Sequence, residues 1–293
     1  MKRIYLALLF SFYALPNYGS EAIETAQFAH VLNKAVALGR KYEPSKVLIV
    51  FDIDNTLLKT NQDLGGEPFF DWQASLLPEK GKAPNKNRLR LACDFDDLLK
   101  LERLALGLSR MSITEETVDS VITELKRHQF PIIALTSRGF DDATYTHREL
   151  NRNHIHLEDK APDFSDTISW PHPPNVTDEE RAKYKLFNQA AYQGGVYFTE
   201  GMHKGAMLKE LISQASSKPK AIVFVDNKEK HTSRVYEIIQ AMGIDVTTIR
   251  YSVMDKEIEA FDKSSLRKAK SVSDFRKLHE ALQSVYGYPK LCH

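Results

Sequence analysis

Continuous hydrophobic runs alternate with amphipathic segments along most of the chain. Three short runs are rich in β-branched and aromatic side chains, which is typical of strands buried on both faces of a parallel sheet. They are Val47–Phe51, Pro131–Leu135 and Ala221–Val225, and Asp245–Tyr251 is a weaker fourth candidate. Strands that alternate with helices predict an α/β fold with a doubly wound parallel sheet.

Helical periodicity occupies the segments around these strands. Apolar residues recur at the spacing of one helix face over Ile23–Arg40, Thr114–His128, Lys204–Ser216 and Lys228–Met242. Gly243 then offers a natural end for the last helix, since glycine tolerates the left-handed conformation that often follows a helix.

Two stretches interrupt this alternation, at about residues 59–111 and 157–198. Both are too long for simple loops in a compact domain. The first contains a Gly65-Gly66 turn and a helical run over Phe95–Leu106, and the second contains the strand-like Gly195–Thr199. We interpret them as inserted cap elements that cover the ligand-binding edge of the sheet.

The N-terminus has the layout of a secretory signal peptide. Lys2 and Arg3 precede an apolar run over Ile4–Leu15, and a polar, turn-prone segment follows. The run is shorter than the roughly 20 residues of a membrane span. We expect residues 1–22 to be removed, with cleavage after Ser20 as an alternative. An uncleaved anchor and a buried helix are the competing readings. Residues 23–293 would then form the mature domain.

Composition excludes some classes of partner. In 293 residues, 40 Lys and Arg nearly balance 39 Asp and Glu. A nucleic-acid-binding protein usually has a clear basic excess, and an anionic membrane surface would need one too. The only cysteines are Cys93 and Cys292. Export would permit a disulfide, but the sequence leaves open whether they pair.

Polar side chains follow three of the predicted strands where each strand ends. In open α/β sheets, ligands bind beyond the carboxyl ends of the strands, so these side chains are expected at one edge. They are Asp52 and Asp54, Thr136 and Ser137, and Asp226, joined by Lys204 at the start of the helix before the third strand.

This combination suits phosphoryl transfer. Carboxylates gathered at one point repel one another, and Mg²⁺ offsets that repulsion while leaving room for a phosphate. A carboxylate can attack phosphorus and form an aspartyl-phosphate. A second carboxylate can serve as general acid and base, while hydroxyl and ammonium groups hold the phosphate oxygens.

Four short segments resemble the motifs of the haloacid dehalogenase (HAD) superfamily of phosphohydrolases. VLIVFDIDNTLL resembles the first motif, PIIALTSRG the second, GMHKGAML the third and AIVFVDN the fourth, in the family's order. The resemblance covers roughly Val47 to Tyr251 without the two stretches. It implies a Rossmann-like sheet with inserted caps, and Mg²⁺ as the cofactor.

The resemblance also implies a role for each matched residue. Asp52 would be the nucleophile and a metal ligand. Asp54 would be the general acid and base, with its backbone carbonyl on the metal. Thr136, Ser137 and Lys204 would bind the phosphate, and Asp226 would complete the metal site. An acid at position 54 is typical of the superfamily's phosphatases and phosphotransferases.

The fourth motif departs from the family pattern. Members usually carry a second acid there, whereas this chain has Asn227. Asn227 would ligate the metal directly or through water, with Glu229 as a substitute. Next to the phosphate-binding position, Arg138 would either contact substrate or form a salt bridge exposed to solvent.

We therefore predict an exported, Mg²⁺-dependent phosphatase that hydrolyses a phosphomonoester, either a phosphorylated small molecule or a phosphoprotein, in the periplasm or outside the cell. The pattern is similar to secreted acid phosphatases of the superfamily and to an uncharacterised branch of secreted HAD-like proteins. Alternatives are a phosphotransferase, a protein phosphotyrosine phosphatase, and a binding protein on a HAD scaffold without turnover. The sequence does not identify the substrate or the oligomeric state.

Overall fold

A computed structural model of the chain describes residues 19–78, 87–162, 164, 168–169 and 176–287. Most of the predicted signal peptide lies outside the described residues, and so does Cys292. Signal cleavage therefore stays a prediction, and the question of whether Cys93 pairs with Cys292 stays where the sequence left it.

The described residues form ten strands and ten α-helices. The strands are β1 (Glu21–Thr25), β2 (Val47–Phe51), β3 (Leu58–Thr60), β4 (Met111–Ile113), β5 (Ile132–Thr136), β6 (Ile168–Ser169), β7 (Ala190–Gln193), β8 (Val196–Phe198), β9 (Ala221–Asp226) and β10 (Asp245–Tyr251). The helices are α1 (Ala29–Tyr42), α2 (Glu67–Ser75), α3 (Phe95–Leu108), α4 (Val118–Arg127), α5 (Ala143–Arg152), α6 (Asp178–Tyr184), α7 (Lys204–Gln214), α8 (Glu229–Ala241), α9 (Asp255–Lys263) and α10 (Ser265–Tyr286).

Eight of these strands form one sheet in the order β1-β10-β9-β2-β5-β8-β7-β6. The first six strands in this order, from β1 at the edge to β8, run parallel to one another. Strand β7 is antiparallel to both of its neighbours, β8 and β6. In the centre, Val50 of β2 pairs with Phe224 on one side and Ile133 on the other. The four predicted sheet strands are confirmed, with β2 at the middle.

The central strand packs on both faces, as its continuous hydrophobic run predicts. Val47, Ile49 and Phe51 belong to a core with α1 and α4, whereas Leu48 and Val50 belong to a second core with α7 and α8. Successive side chains of a strand point to opposite faces, so two helical layers enclose one sheet. This arrangement confirms the predicted α/β, doubly wound class.

The first residues of the predicted leading helix are a strand instead. Glu21–Thr25 forms β1, which pairs with β10, and α1 begins only at Ala29. The pairing of Ile23 with Ile249 gives this short segment a partner that helical periodicity does not reveal. Cleavage after Ala22 would remove two residues of β1, whereas cleavage after Ser20 would leave the strand whole.

The first long stretch leaves and rejoins the core through a short hairpin. Strand β3 pairs antiparallel with β4, and α2 and α3 lie between them. Phe69 and Leu101 of these helices share a small hydrophobic core with Phe261, Val272 and Phe275 of α9 and α10. The insert and the C-terminal helices therefore form one packed unit beside the sheet.

The second long stretch adds three short strands to the sheet. Strands β6, β7 and β8 belong to it, and β8 pairs parallel with β5 inside the main sheet. Helix α6 lies beside α7, where Lys209 forms an ion pair with Glu180. The expectation that this stretch covers the ligand-binding edge therefore does not hold for its strands.

Candidate active site

The predicted site begins where β2 and β9 end side by side. Asp52 follows the last residue of β2, and its backbone N–H donates to the carbonyl of Val225, 2.8 Å away. Asp226 is the last residue of β9. Both carboxylate side chains are buried. The parallel register thus brings together two acids that are far apart in the sequence.

Lys204 joins these two acids. Its Nζ lies 2.6 Å from Asp52 Oδ1 and 2.7 Å from Asp226 Oδ2, and the side chain is only 1% exposed. Burial by itself lowers the pKa of Lys204, but Asp226 and Asp52 raise it above its usual value. The ammonium group therefore keeps its charge between the two carboxylates.

Gly205 explains how the start of α7 reaches this position. A Cβ atom there would lie 2.2 Å from the backbone oxygen of Arg234 in α8. Only glycine allows so close an approach of the two helices. Lys204 therefore supplies the charged group, and Gly205 allows the helix packing that positions it.

The two acids differ in their surroundings. Burial would raise the pKa of Asp226, but Lys204 and a hydrogen bond with His231 lower it to about 2. Its Oδ1 also accepts the backbone N–H of Lys228 at 2.8 Å. Burial, together with the charge of Asp226, raises the pKa of Asp52. Because donors surround Asp226, it is the acid that holds its negative charge more firmly.

Asp54 has a different cationic partner. Arg138 Nε and Nη2 lie 2.9 and 2.7 Å from the two carboxylate oxygens of Asp54. The Arg138 side chain is 5% exposed, and its Nη1 donates to Thr146 Oγ1 at 2.8 Å. For Arg138, the sequence offered contact with substrate or a solvent-exposed salt bridge; the structure shows a salt bridge, but a buried one with Asp54. Its place just after β5 is the only signal that the sequence gives.

Thr136 and Ser137 lie at the end of the neighbouring strand β5. Thr136 is fully buried, and its Oγ1 accepts the backbone N–H of Arg138 at 3.2 Å. Ser137 is exposed. Thr199 Oγ1 donates to the carbonyl of Thr136 at 2.7 Å, which fixes this strand end. The hydroxyls thus border the same edge as Asp52.

The loop after β2 links the first and fourth motifs. The backbone N–H of Asn227 donates to Thr56 Oγ1 at 3.0 Å, and Thr114 Oγ1 donates to the carbonyl of Thr56 at 2.7 Å. Asn55 has a left-handed backbone with φ of 56°, a conformation that asparagine adopts more readily than most residues. Thr56, the threonine of the first motif, therefore stabilises the loop through hydrogen bonds with Asn227 and Thr114.

Glu67 of the first insert enters the site, which the sequence did not predict. Its Oε2 accepts Nδ2 of Asn55 at 2.7 Å and Nδ2 of Asn227 at 2.9 Å. Its Oε1 lies 2.6 Å from Lys228 Nζ. Burial raises the pKa of Glu67, and the charge of Lys228 opposes that rise. The Gly65-Gly66 turn before it was the only hint of a close approach.

Glu102 of α3 is a second acid from the first insert. Burial raises its pKa to about 8, and the charges of Asp54 and Asp142 act in the same direction. The neighbouring Arg103 pairs with Asp141 at 2.9 Å and with Asp142 at 3.2 Å, beyond the end of β5. Helix α3 is therefore tied to the loop that carries Arg138.

The donor set suits a hard divalent cation with few protein ligands. Among the described residues, no group of three or more His, Cys, Asp or Glu side chains is arranged to hold a metal ion. Asp52 and Asp226 nevertheless supply two carboxylates. Asn227 Oδ1 is buried and has no hydrogen-bond partner among the described residues. Two carboxylates and an amide oxygen match Mg²⁺, which keeps several waters when bound.

Comparison with known families decides where the chain belongs. A family model named DUF2608, described as a protein of unknown function, matches residues 24–285. The chain belongs to this family. The match spans β2, β5, α7 and β9, so every residue of the candidate site lies inside the DUF2608 region.

A curated relative of this DUF2608 chain comes from Chlamydia pneumoniae. It is named a putative outer membrane protein, and it is 21% identical over 218 residues. The alignment covers 73% of this chain and 72% of the relative. Among the described residues, no helix is long and apolar enough to cross a membrane.

A solved structure with some likeness is cytosolic 5'-nucleotidase IIIB bound to cytidine. It is 12% identical, and the alignment covers 85% of this chain and 91% of the nucleotidase. The TM-score is 0.32, which is too low for the likeness to carry an inference.

Proposed function

We propose that this protein is a phosphatase of the HAD type that hydrolyses a phosphomonoester. The observation that carries the proposal is the contact of one buried ammonium group, Lys204, with both Asp52 and Asp226 at the edge of the sheet. The four sequence segments that resemble the HAD motifs support it. The acid at Asp54, beside this pair of carboxylates, favours phosphatase chemistry within that superfamily.

In the first half of the proposed reaction, Asp52 is the nucleophile. One of its carboxylate oxygens forms a bond to phosphorus as the ester P–O bond breaks. Asp54 gives a proton to the departing alcohol oxygen. Lys204, Thr136 and Ser137 would hold the phosphate oxygens, because charged and hydroxyl donors stabilise the charge of the transferring group.

In the second half, water releases the phosphate. Its oxygen forms a bond to the phosphorus of the aspartyl-phosphate as the acyl P–O bond breaks. Asp54 takes a proton from that water, which regenerates the acid for the next cycle. Asp52 recovers its carboxylate, and inorganic phosphate leaves. Arg138 keeps Asp54 in place through both halves by its two hydrogen bonds.

Mg²⁺ is the metal that we propose for this site. Asp52, Asp226, Asn227 and the backbone carbonyl of Asp54 would hold it, because carboxylate and carbonyl oxygens suit this cation. When bound, it would neutralise negative charge on the phosphate oxygens. The buried, unpartnered Asn227 Oδ1 supports this assignment.

We also propose that the protein is exported. The apolar run over Ile4–Leu15, preceded by Lys2 and Arg3, has the order of a signal peptide. The name of the Chlamydia pneumoniae relative is consistent with a place outside the cytoplasm. A phosphorylated small molecule or a phosphoprotein in the periplasm or outside the cell would then be the substrate.

Hydrolysis of para-nitrophenyl phosphate by the chain that begins at Glu21 tests the proposal. We expect turnover that requires Mg²⁺, ends with a chelator and returns when the metal is restored. Asp52→Asn should lower kcat about 10³-fold or more, because the nucleophile is lost. Its circular dichroism should match the parent chain. Normal turnover in Asp52→Asn, or turnover unaffected by chelation, would contradict the proposal.

A folded parent chain that shows no turnover across a broad pH range would favour the binding-protein alternative. If the chain does turn over substrate, added acceptor alcohols would distinguish a phosphatase from a phosphotransferase. Transfer of phosphate to an alcohol in preference to water would indicate a phosphotransferase.

A further inference from the structure

Glu67 stands out because it is an acid from the insert that contacts the core at the fourth motif. It is the first residue of α2, and Gly66 precedes it. A Cβ atom on Gly66 would lie 2.6 Å from Thr60 Oγ1 of the hairpin. Glycine therefore lets the start of α2 lie against the hairpin, and this close packing carries Glu67 towards the loop after β2.

The hydrogen bonds of Glu67 determine how Asn227 is turned. A carboxylate only accepts hydrogen bonds, so it is the NH₂ group of Asn227 that faces Glu67. Nδ2 lies 2.9 Å from Glu67 Oε2, which leaves Oδ1 on the other side of the amide. Asn227 is 4% exposed, and Oδ1 has no hydrogen-bond partner among the described residues.

A buried carbonyl oxygen without a partner is costly unless a ligand satisfies it. A cation is the ligand that two neighbouring carboxylates and an amide oxygen would take. Without Glu67, the amide of Asn227 could turn over and present NH₂, which cannot bind a cation. The contact with Glu67 therefore removes an orientation that would oppose metal binding.

We propose that Glu67 is a positioning residue that orients Asn227 so that its Oδ1 can ligate the metal. This inference rests on the proposed function, since it concerns the same Mg²⁺ site. It gives the first insert a part in the metal site. The fourth motif has Asn227 where a second carboxylate is usual, and Glu67 of the insert fixes the orientation of that asparagine. Mutation of a residue that hydrogen-bonds to a metal ligand typically lowers metal affinity 10- to 100-fold.

Calorimetric titration with Mg²⁺ alone, without any phosphate compound, tests the inference. Glu67→Gln keeps the volume of the side chain but weakens its acceptor groups. We expect the Kd for Mg²⁺ to rise about tenfold or more. Asn227→Ala should weaken binding by a similar factor. The double variant should bind no more weakly than Asn227→Ala, because Glu67 acts through Asn227.

Asp71→Asn is the matched control. Asp71 lies on the same helix, and like Glu67 it pairs with Lys228, at 2.8 Å, whereas Asn227 Nδ2 donates to Glu67. We expect the Kd of this variant to stay within about threefold of the parent chain. An equal loss in Asp71→Asn would mean that the Lys228 ion pairs, and not the orientation of Asn227, matter.

The outcomes separate this inference from the proposed function. If the parent chain binds Mg²⁺ and Glu67→Gln binds it equally well, the inference is overturned and the phosphatase proposal stands. If the parent chain binds no Mg²⁺, both are overturned. Full additivity in the double variant also overturns the inference.

An exchange variant covers the case in which Glu67→Gln does not fold. Glu67→Gln with Asn227→Asp swaps carboxylate and amide across the same hydrogen bond. We expect it to bind Mg²⁺ at least as tightly as the parent chain. Binding weaker than that of the parent chain would contradict the inference.

Discussion

The two stretches that interrupt the alternation of strands and helices, at about residues 59–111 and 157–198, pack against different parts of the molecule. The first sends Glu67 towards Asn227 and ties α3 to the loop after β5 through Arg103 and Asp142. The second adds β6, β7 and β8 to the sheet, and its helix α6 lies beside α7. In the sequence they looked alike because both are too long for simple loops.

The comparison shows that the point at which an insert leaves the core decides whether its residues reach the site. The first leaves through the β3–β4 hairpin directly after the loop that carries Asp54. The second returns to the sheet as a strand, so its residues are used in pairing. We therefore expect changes at the strand ends to cost most, changes in the first insert less, and changes in the second stretch least.

Arg138 should show the largest of the three effects. Arg138→Met would leave Asp54 without its two hydrogen bonds, and kcat for para-nitrophenyl phosphate should fall about 100-fold, since general acid–base catalysis contributes at least that much. Breaking one side of a buried ion pair should also lower the free energy of unfolding by about 3 kcal/mol. Steady-state kinetics and urea denaturation measure the two effects.

Arg138→Lys is the control for charge at this position. It keeps the positive charge but cannot form the two-pronged contact with Asp54. We expect kcat between those of the parent chain and Arg138→Met. Equal activity in all three proteins would show that Arg138 does not position Asp54.

Glu102 should show an intermediate effect that depends on pH. Its pKa rises from 4.5 in the unfolded chain to about 8 in the fold, first because of burial. Between these values the unfolded chain has released the proton while the folded chain still holds it. Stability is therefore lost as pH rises from about 4.5 to about 8.

Glu102→Gln removes that titration. We expect its free energy of unfolding at pH 8 to exceed that of the parent chain by an amount on the order of 2 kcal/mol, with little difference at pH 4.5. Urea denaturation at both pH values measures this. Glu116→Gln, at an exposed position, is the control. A constant difference across the pH range would count against the raised pKa.

Lys209 should show the smallest effect. Its ion pair with Glu180 joins α7 to the second stretch, and the two side chains are 41% and 30% exposed. Lys209→Met should change the free energy of unfolding by less than about 1 kcal/mol, because solvent weakens exposed ion pairs. Turnover should be unchanged. A large loss of activity would mean that the second stretch also reaches the site.

Part of the site was visible in the sequence because its residues follow strands. Asp52, Thr136 and Asp226 each sit at the end of a buried hydrophobic run, and parallel strands end at one edge. Lys204 was found from its place at a helix start before the third such run. The contacts of Lys204 with Asp52 and Asp226 agree with this placement.

Other parts of the site needed the folded chain. The sequence did not identify Asp54 as the partner of Arg138, whose guanidinium lies buried against it, 84 positions away in the sequence. Glu67 meets Asn227 across 160 positions. Neither contact leaves a periodic trace, because each joins one side chain to another through the packing of separate units. Strand β1 was missed for the same reason, since its pairing with β10 depends on a distant partner.

By itself, the sequence determined the α/β class, the four strands β2, β5, β9 and β10, and the group of acids, hydroxyls and lysine at their carboxyl edge. These features depend on local hydrophobic runs and on the direction of parallel strands, both of which are written in short segments. The tertiary structure decided which cation meets which acid, which insert reaches the site, and how Asn227 is turned. Those depend on distances between side chains from separate elements, which only close packing of the whole chain fixes.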